Sequence, residues 1–271
     1  MKLAGRRWIA CGALCVVVAA GCSTSDPATS VGTSPASVLT RDQANVMASM
    51  LFKNYDTGGA DFTVEVAYGK AATFSFAGQI DWKKRLGHAL VTTHLTDTSA
   101  AQPAPADVYW IQTSSQQVVL QGGLQNLEHE MVALGRTGIK YLARPLSEKT
   151  PQDIVLLFVN ALGAAQRDNP QLLRFGDQAN AAAKFVRTDK VDGAPVNVFS
   201  QKDKVRFWVR VSDGVLVKVD ADLGGFSGPT VVLLKNHRSL DLHSPQASEV
   251  VDASTLPQDV IDRLFPKASA G

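Results

Sequence analysis

The chain has 271 residues, of which 45% are hydrophobic and 19% are charged, and its formal net charge is +2. This composition excludes an intrinsically disordered chain. Because Lys2, Arg6 and Arg7 supply three positive charges at the N-terminus, the rest of the chain has no strong basic field, which argues against a general nucleic-acid-binding protein.

The first 22 residues have the pattern of an export signal. The positive residues precede an apolar run from Trp8 to Ala20, which is too short for the ~20 residues of a transmembrane helix but fits a secretory signal. The run ends in Val18-Ala19-Ala20-Gly21-Cys22, which resembles the lipobox of bacterial lipoproteins, except that Ala19 stands where that family prefers Leu. The resemblance implies a signal peptide at residues 1–21, a diacylglycerol anchor on Cys22, and a location on the extracytoplasmic face of the cell membrane.

Two alternatives remain open for this segment. It could be an ordinary secretory signal with an incidental cysteine, and Arg6-Arg7 leaves twin-arginine export possible. Residues 22–39 follow as a predicted linker, because Ser, Thr, Pro, Ala and Gly dominate from Ser23 onward.

Residues 40–268 are predicted to form one globular domain that begins with a helix. Thr40 can cap it, and apolar residues recur from Ala44 to Phe52 at helical spacing. The period then changes to two, which predicts an antiparallel meander. Its runs are Phe62–Tyr68, Phe74–Ile80, Ala89–Leu95, Asp107–Thr113 and Gln116–Gly122.

The middle of the domain is predicted to be helical. A short helix fits Leu124–Leu134, a second one starts near Asn169-Pro170, and between them Thr150-Pro151 begins a helix that is apolar nearly all round. The last third returns to strands and ends in a helix. The predicted strands are Ala183–Lys190, Ala194–Gln201, Val205–Val211, Val215–Ala221, Thr230–His237 and Leu240–Leu242, and the helix is Leu256–Leu264. The predicted fold class is therefore α+β, with a strongly curved antiparallel sheet of about ten strands, an open half-barrel, wrapping a central helical segment.

The sequence contains no strong catalytic signature. Nucleophile-elbow, P-loop, dinucleotide-binding and H-E-x-x-H motifs are all missing, so we predict a protein that is not an enzyme and uses no cofactor and no metal. His88 and His94 share one face of a strand about 20 Å apart, too far for one metal ion. His237 and His243 flank a turn, and a pH-sensing or metal-binding role for them is left open. The segment from Asp81 through Trp82 to Arg85 is either a solvated hairpin tip or a contact for anionic lipid headgroups.

The aliphatic and aromatic residues of the strands and of the central helix are the most informative set. They could fill a solid core, or they could line a cavity for acyl chains. The predicted lining residues are Phe62, Val64, Val66, Phe74, Phe76, Ile80, Val91, Leu95, Ile154, Leu157, Phe158, Phe207 and Val209.

The order of segments resembles the actinobacterial LppX/LprG lipoproteins, which share the LolA-type half-barrel. The resemblance rests on the lipobox, the linker, the meander, the central helix, Phe207-Trp208-Val209 before Asp213-Gly214, and Leu240-Asp241-Leu242 near the end. It implies binding of acylated lipids or glycolipids, a membrane association through the anchor, and a possible envelope transporter as partner. One alternative is a scaffold or signalling lipoprotein with a filled core, in which the concave face of the sheet is plugged by Phe62, Phe74, Phe76 and Phe207. Another is a hydrolase, although the sequence shows no pairing of a nucleophile with a base to support it.

Overall fold

The structure is a computed structural model that describes residues 37–97, 99, 101–112, 117–167, 183–201 and 204–265. The predicted signal peptide, Cys22, most of the predicted linker and the helix predicted near Asn169 lie outside these residues. The described helices are α1 (Arg41–Thr57), α2 (Leu127–Ala133), α3 (Pro151–Asn160) and α4 (Gln258–Leu264). The described strands are β1 (Ser37–Val38), β2 (Gly59–Tyr68), β3 (Ala72–Asp81), β4 (Leu86–Leu95), β5 (Ala106–Gln112), β6 (Gln117–Gln121), β7 (Tyr141–Pro145), β8 (Ala183–Val191), β9 (Ala194–Gln201), β10 (Val205–Arg210), β11 (Leu216–Ala221), β12 (Thr230–Arg238) and β13 (Val250–Asp252).

The described strands form a single 13-stranded sheet in the order β1-β8-β9-β10-β11-β12-β2-β3-β4-β5-β6-β7-β13. Two meanders, β2 to β7 and β8 to β12, meet where β12 pairs with β2. Neighbouring strands in this order are antiparallel except β7 and β13, which are parallel. The sheet does not close, because β1 and β13 lie at its two ends.

The sheet is strongly curved, as predicted. Trp110 of β5 and Phe199 of β9 belong to the same hydrophobic core, although seven strand spacings separate them in the sheet. At about 4.8 Å per spacing, a flat sheet would hold these strands more than 30 Å apart. The sheet therefore bends around the helices, and the α+β half-barrel fold is confirmed.

Helix α1 lies in the hollow of the sheet. Thr40 and Gln43 form a capping box at its start, and Gly58, with φ of 102°, ends it in a conformation that favours glycine. Met47, Met50 and Asn54 are buried on its inner face, and the helix contacts β2, β10, β11 and β12. The predicted first helix and its cap are confirmed.

Helix α3 is the predicted central apolar helix, with Pro151 in its first turn. Val155, Leu156 and Val159 are its buried apolar residues. Ile154, Leu157 and Phe158, which the sequence predicts to face the core, are half-buried. Because nearly every position of this helix is apolar, its sequence does not determine which stripe packs inward.

Most of the remaining elements agree with prediction within a few residues, but three strands were missed and one was wrong. Residues 240–242 are predicted as a strand, and the structure has irregular backbone there. The missed strands are β1, β7 and β13. Each is short and pairs with a segment that is distant in the sequence, so no local alternation reveals it.

Candidate functional site

The predicted lining residues divide into two groups. Phe62, Val64, Val66, Phe74, Phe76, Ile80, Val91, Phe207 and Val209 are buried in the main core on the concave side of the sheet. Leu95, Ile154, Leu157 and Phe158 are half-buried. The structure therefore gathers the strand residues in one place, with the four helix and strand-end residues at its margin.

The concave side of the described sheet is well packed. Phe62 and Trp110 meet edge to face with ring centroids 5.9 Å apart, and Met47 and Met50 of α1 fill the space beside them. Gly87 allows this packing, because a Cβ there would lie 2.0 Å from the Trp110 ring. All four phenylalanines that the sequence marks as possible plugs are buried in this core.

A cavity of about 250 Å³ remains at one end of the hollow, between β4, β5, β6 and the start of α3. Val91, Ala106, Val108 and Leu156 provide an apolar wall. Polar side chains surround that wall. They are Thr93, Gln121, Gln125, Arg144, Gln152 and Asp153. An apolar wall with a few polar groups around it is typical of small-molecule sites.

An ion pair borders this cavity and fixes α3 to the sheet. Arg144 of β7 binds both carboxylate oxygens of Asp153, with Nη2 at 2.8 Å from Oδ1, and the Asp153 side chain is completely buried. The backbone N–H of Ser147 also donates to Asp153 at 2.9 Å. The carboxylate therefore neutralises Arg144 and orders the turn that leads into the helix.

A second cross-link lies at the other end of α3. The fully buried Asn54 of α1 donates to the carbonyl of Leu162 at 2.9 Å and accepts from the backbone N–H of Leu216 at 3.1 Å. It thereby joins both helices to β11. Sequence reasoning missed Asn54 and Arg144, because their partners are 108 and 9 residues away and no pattern marks them.

Two depressions also lie on the surface. One, of about 650 Å³, runs over the outer face of β12, β2, β3 and β4 beside Thr63, Glu65 and Ser75. The other, of about 510 Å³, lies beside the loop Asp222–Pro229 and is lined by Lys204, Arg206 and Asp220. The groove beside the loop has polar and charged walls, whereas the groove over β12, β2, β3 and β4 also has apolar walls that include Leu90, Val231 and Leu233. Both grooves are open to solvent on the outer face of the sheet, and the cavity under α3 is more enclosed, which makes it the better candidate for an apolar ligand.

The basic segment after β3 is a hairpin turn in which Lys83, Lys84 and Arg85 are exposed, as the solvated-tip interpretation predicts, but its tryptophan is not exposed. Trp82 is buried, and its indole N–H donates to the carbonyl of Val159 at 3.4 Å. Lys83 and Lys84 donate to backbone carbonyls of Asp56 and Leu242. Trp82 therefore secures α3 and offers no aromatic contact to a membrane surface.

Trp208 projects from the outer face of β10, but its side chain is buried there. It is buried in a small apolar cluster with Val196, Val198 and Val217, and its indole N–H donates to Asp189 at 3.3 Å. Lys218 lies 4.5 Å above its ring. The outer face of this part of the sheet is thus partly covered, which strict alternation does not predict.

The histidines do not form a metal site. Among the residues that the structure describes, no group of three or more His, Cys, Asp or Glu side chains could hold a metal ion. His88 is paired with Asp107, which also accepts from the Tyr141 hydroxyl at 2.8 Å. Burial and the neighbouring Asp107 carboxylate raise the pKa of Tyr141 above its ordinary value.

His237 is the most perturbed histidine described. Burial, followed by the charge of Arg210, lowers the pKa of His237 from 6.5 to about 4. Its Nε2 atom is buried without a hydrogen-bond partner. The ring is therefore neutral at pH 7.

None of the described helices is long and apolar enough to cross a membrane. No protein-family model matches the sequence, and no curated protein matches it. Several solved structures resemble the fold weakly. Among them are MucB (10% identity, TM-score 0.35, covering 79% of this chain and 64% of that one), MucB in complex with MucA(peri) (13%, 0.35, 78% and 61%), and a LolA superfamily protein, NE2245 from Nitrosomonas europaea (12%, 0.23, 73% and 95%).

This chain spans less than two thirds of the length of the MucB chains that it matches. With TM-scores this low, these matches carry no argument about family or function. The fold assignment rests on the strand order and curvature described above, and the resemblance to the LppX/LprG lipoproteins stays a prediction.

Proposed function

We propose that this protein is a lipid-anchored envelope protein that binds an acyl chain of a lipid or glycolipid in the cavity under α3. The observation that carries the proposal is the apolar wall of Val91, Ala106, Val108 and Leu156 surrounded by uncharged amides and a neutralised ion pair. Such a site receives a hydrocarbon chain through burial of apolar surface, at about 25 cal/mol per Å². The N-terminal export pattern ending at Cys22 supports the anchor and the extracytoplasmic location.

The size of the cavity limits what it holds in this conformation. Its 250 Å³ is slightly below the range of roughly 300–1,000 Å³ that is usual for small-molecule sites. One chain end fits this space better than several chains do. A lipid with more chains requires the packed core to open.

A second candidate function is favoured by a different observation. Because Phe62, Phe74, Phe76 and Phe207 are all buried in a packed core, the domain can also serve as a scaffold or signalling lipoprotein that carries no lipid. This candidate predicts a specific protein partner in cross-linking experiments and no lipid after purification.

Filling the cavity tests the first proposal. We would purify the protein from Ser23 onward, which keeps every described element, extract it for lipid mass spectrometry, and titrate it with the fluorescent fatty acid cis-parinaric acid. Ala106→Phe places a ring in the cavity, and Ala133→Phe places the same ring on the exposed side of α2, away from the cavity and both grooves, as a matched control. We expect the Ala106→Phe protein to bind about tenfold more weakly, which needs only about 1.4 kcal/mol of lost apolar contact, and the Ala133→Phe protein to bind unchanged.

Equal binding by both variants would show that the fatty acid binds elsewhere. A wild-type protein that carries no lipid and binds no fatty acid would refute the carrier proposal and leave the scaffold.

A further inference from the structure

The loop between β11 and β12, residues Asp222–Pro229, lies at the same end of the sheet as the cavity. Val231, near the start of β12, stands opposite Glu65 of β2. The next residue of β2, Val66, stands opposite Phe74 of β3, which in turn stands opposite Thr93 of β4. Thr93 is itself a cavity residue. The loop therefore lies at the end of the hollow that holds the cavity, three strand spacings away from β4.

Two apolar side chains of this loop cover the edge of the main core. Leu223 and Phe226 are half-buried and pack against it. The Phe226 ring meets Tyr68 with centroids 6.3 Å apart, and Tyr68 meets Phe74 at 5.7 Å. Tyr68 is 42% exposed and Phe74 is buried, so these rings form a row that leads from the surface at the loop to β3, the strand beside β4 of the cavity wall.

The loop is otherwise held weakly. Two hydrogen bonds from Ser227 fasten it to the end of β2, one from its N–H to the carbonyl of Ala67 and one from its hydroxyl to the carbonyl of Gly69, both at 2.9 Å. A third, from the N–H of Asp222 to the carbonyl of Lys204 at 3.0 Å, fixes the point where the loop leaves β11. Gly224 and Gly225 have φ of 69° and 75°, and an added Cβ at either would meet no atom within 4 Å. The backbone on that side of Phe226 therefore has open space beside it, and two consecutive glycines give it wide conformational freedom.

Other parts of the hollow are harder to open. Moving α1 breaks both buried hydrogen bonds of Asn54, and moving α3 separates the buried Arg144–Asp153 pair. Breaking a buried ion pair leaves an uncompensated charge. Lifting the loop breaks the two hydrogen bonds of the exposed Ser227 and removes the half-buried Leu223 and Phe226 from the core. Of these three elements, the loop is the one whose displacement leaves no buried polar group without a partner.

We propose that the loop Asp222–Pro229 is the gate through which an acyl chain reaches the hollow, with Phe226 as the side chain that blocks the opening and Ser227 as the residue that holds it shut. This inference rests on the proposed function and specifies the route of the ligand. The groove of about 510 Å³ beside the loop provides the space that the displaced loop occupies. Opening the gate joins the region of Tyr68 and Phe74 to the existing cavity.

The rate of ligand uptake tests the gate. Stopped-flow mixing of cis-parinaric acid with the protein from Ser23 onward would be compared for wild type, Phe226→Ala, Ser227→Ala and a control, Phe52→Ala, which removes a half-buried ring from α1. We expect Ser227→Ala to accelerate both uptake and release about fivefold, the factor given by the loss of one net hydrogen bond, with little change in equilibrium affinity. Phe226→Ala should accelerate both steps at least as much, and Phe52→Ala should leave the rates unchanged.

Amide hydrogen exchange in the ligand-free proteins gives a second measurement that does not depend on lipid. Residues 222–229 of Ser227→Ala should exchange faster, while α1 and α3 remain protected. If wild type takes up the fatty acid but both loop variants take it up at the wild-type rate, the gate is overturned and the carrier function stands. If wild type takes up none, the carrier function fails and the gate fails with it.

Discussion

The buried Arg144–Asp153 pair offers a sharp test of how α3 is held in place. Asp153→Asn preserves the shape of the side chain but removes its charge. The substitution leaves Arg144, whose side chain is 20% exposed, facing a neutral amide that also presents N–H donors. Removing one member of a buried pair typically costs 3–5 kcal/mol, and the partial exposure of Arg144 places the expected loss near the lower end, at about 3 kcal/mol.

Urea unfolding followed by tryptophan fluorescence measures this loss, because Trp82, Trp110 and Trp208 are all buried. The matched control is Asp241→Asn, whose side chain is 91% exposed and lies 3.6 Å from Lys84. An exposed pair of this kind contributes about 0–1 kcal/mol, so the control should hardly change the midpoint.

A double-mutant cycle separates the pair from its surroundings. We expect Arg144→Met combined with Asp153→Leu to be more stable than Asp153→Leu alone, because the second change removes the unpaired charge. Strict additivity of the two changes, or a loss below about 1 kcal/mol for Asp153→Asn, would refute the reasoning that this pair holds the helix.

Three further outcomes can be measured in the same way. Asn54→Ala should lower the free energy of unfolding by about 3 kcal/mol, because it strands a buried carbonyl and a buried N–H, and full retention of stability would contradict the cross-link. Gly87→Ala should cost about 1–3 kcal/mol and shift the emission of Trp110, since the new methyl group overlaps the ring; an unchanged spectrum would count against this packing. The unfolded chain gains a proton on His237 near pH 6.5, whereas in the folded protein the half-buried ring gains it only near its pKa of about 4. Stability should therefore fall as the pH is lowered from 6.5 to 4, by about 2 kcal/mol once the partial exposure of the ring is allowed for. His237→Gln should flatten that part of the profile, and an equal slope in both proteins would assign it to other groups.

The sequence predicts those elements whose signal is local. Alternation over ten residues in β2 and β3, together with the capping box of α1, defines strands and helix without knowledge of their partners. The Ser212-Asp213-Gly214 turn likewise predicts the hairpin of β10 and β11. The curvature of the sheet does not follow from the strands alone. It follows because the apolar residues of both meanders are buried in one shared core.

The rest depends on contacts between distant segments. The strand pair β7 and β13 joins Tyr141 to Val250, and neither segment is long enough to show a period. The cavity arises from the position of α3, which a helix apolar on nearly every side does not specify. Residues such as Asn54 and Trp82 look like surface polar and loop aromatic residues until the fold surrounds them.

The parallel pairing of β13 with β7 also bears on how the chain is made. A ribosome releases β7 more than a hundred residues before β13, so the edge of β7 and the apolar side of α2 stay uncovered until β13 and α4 have been made. A product terminated before β13 would expose both, and we expect cellular proteases to act on such surfaces. The short strand β13 thus links the protection of an edge formed early to a segment that is made late.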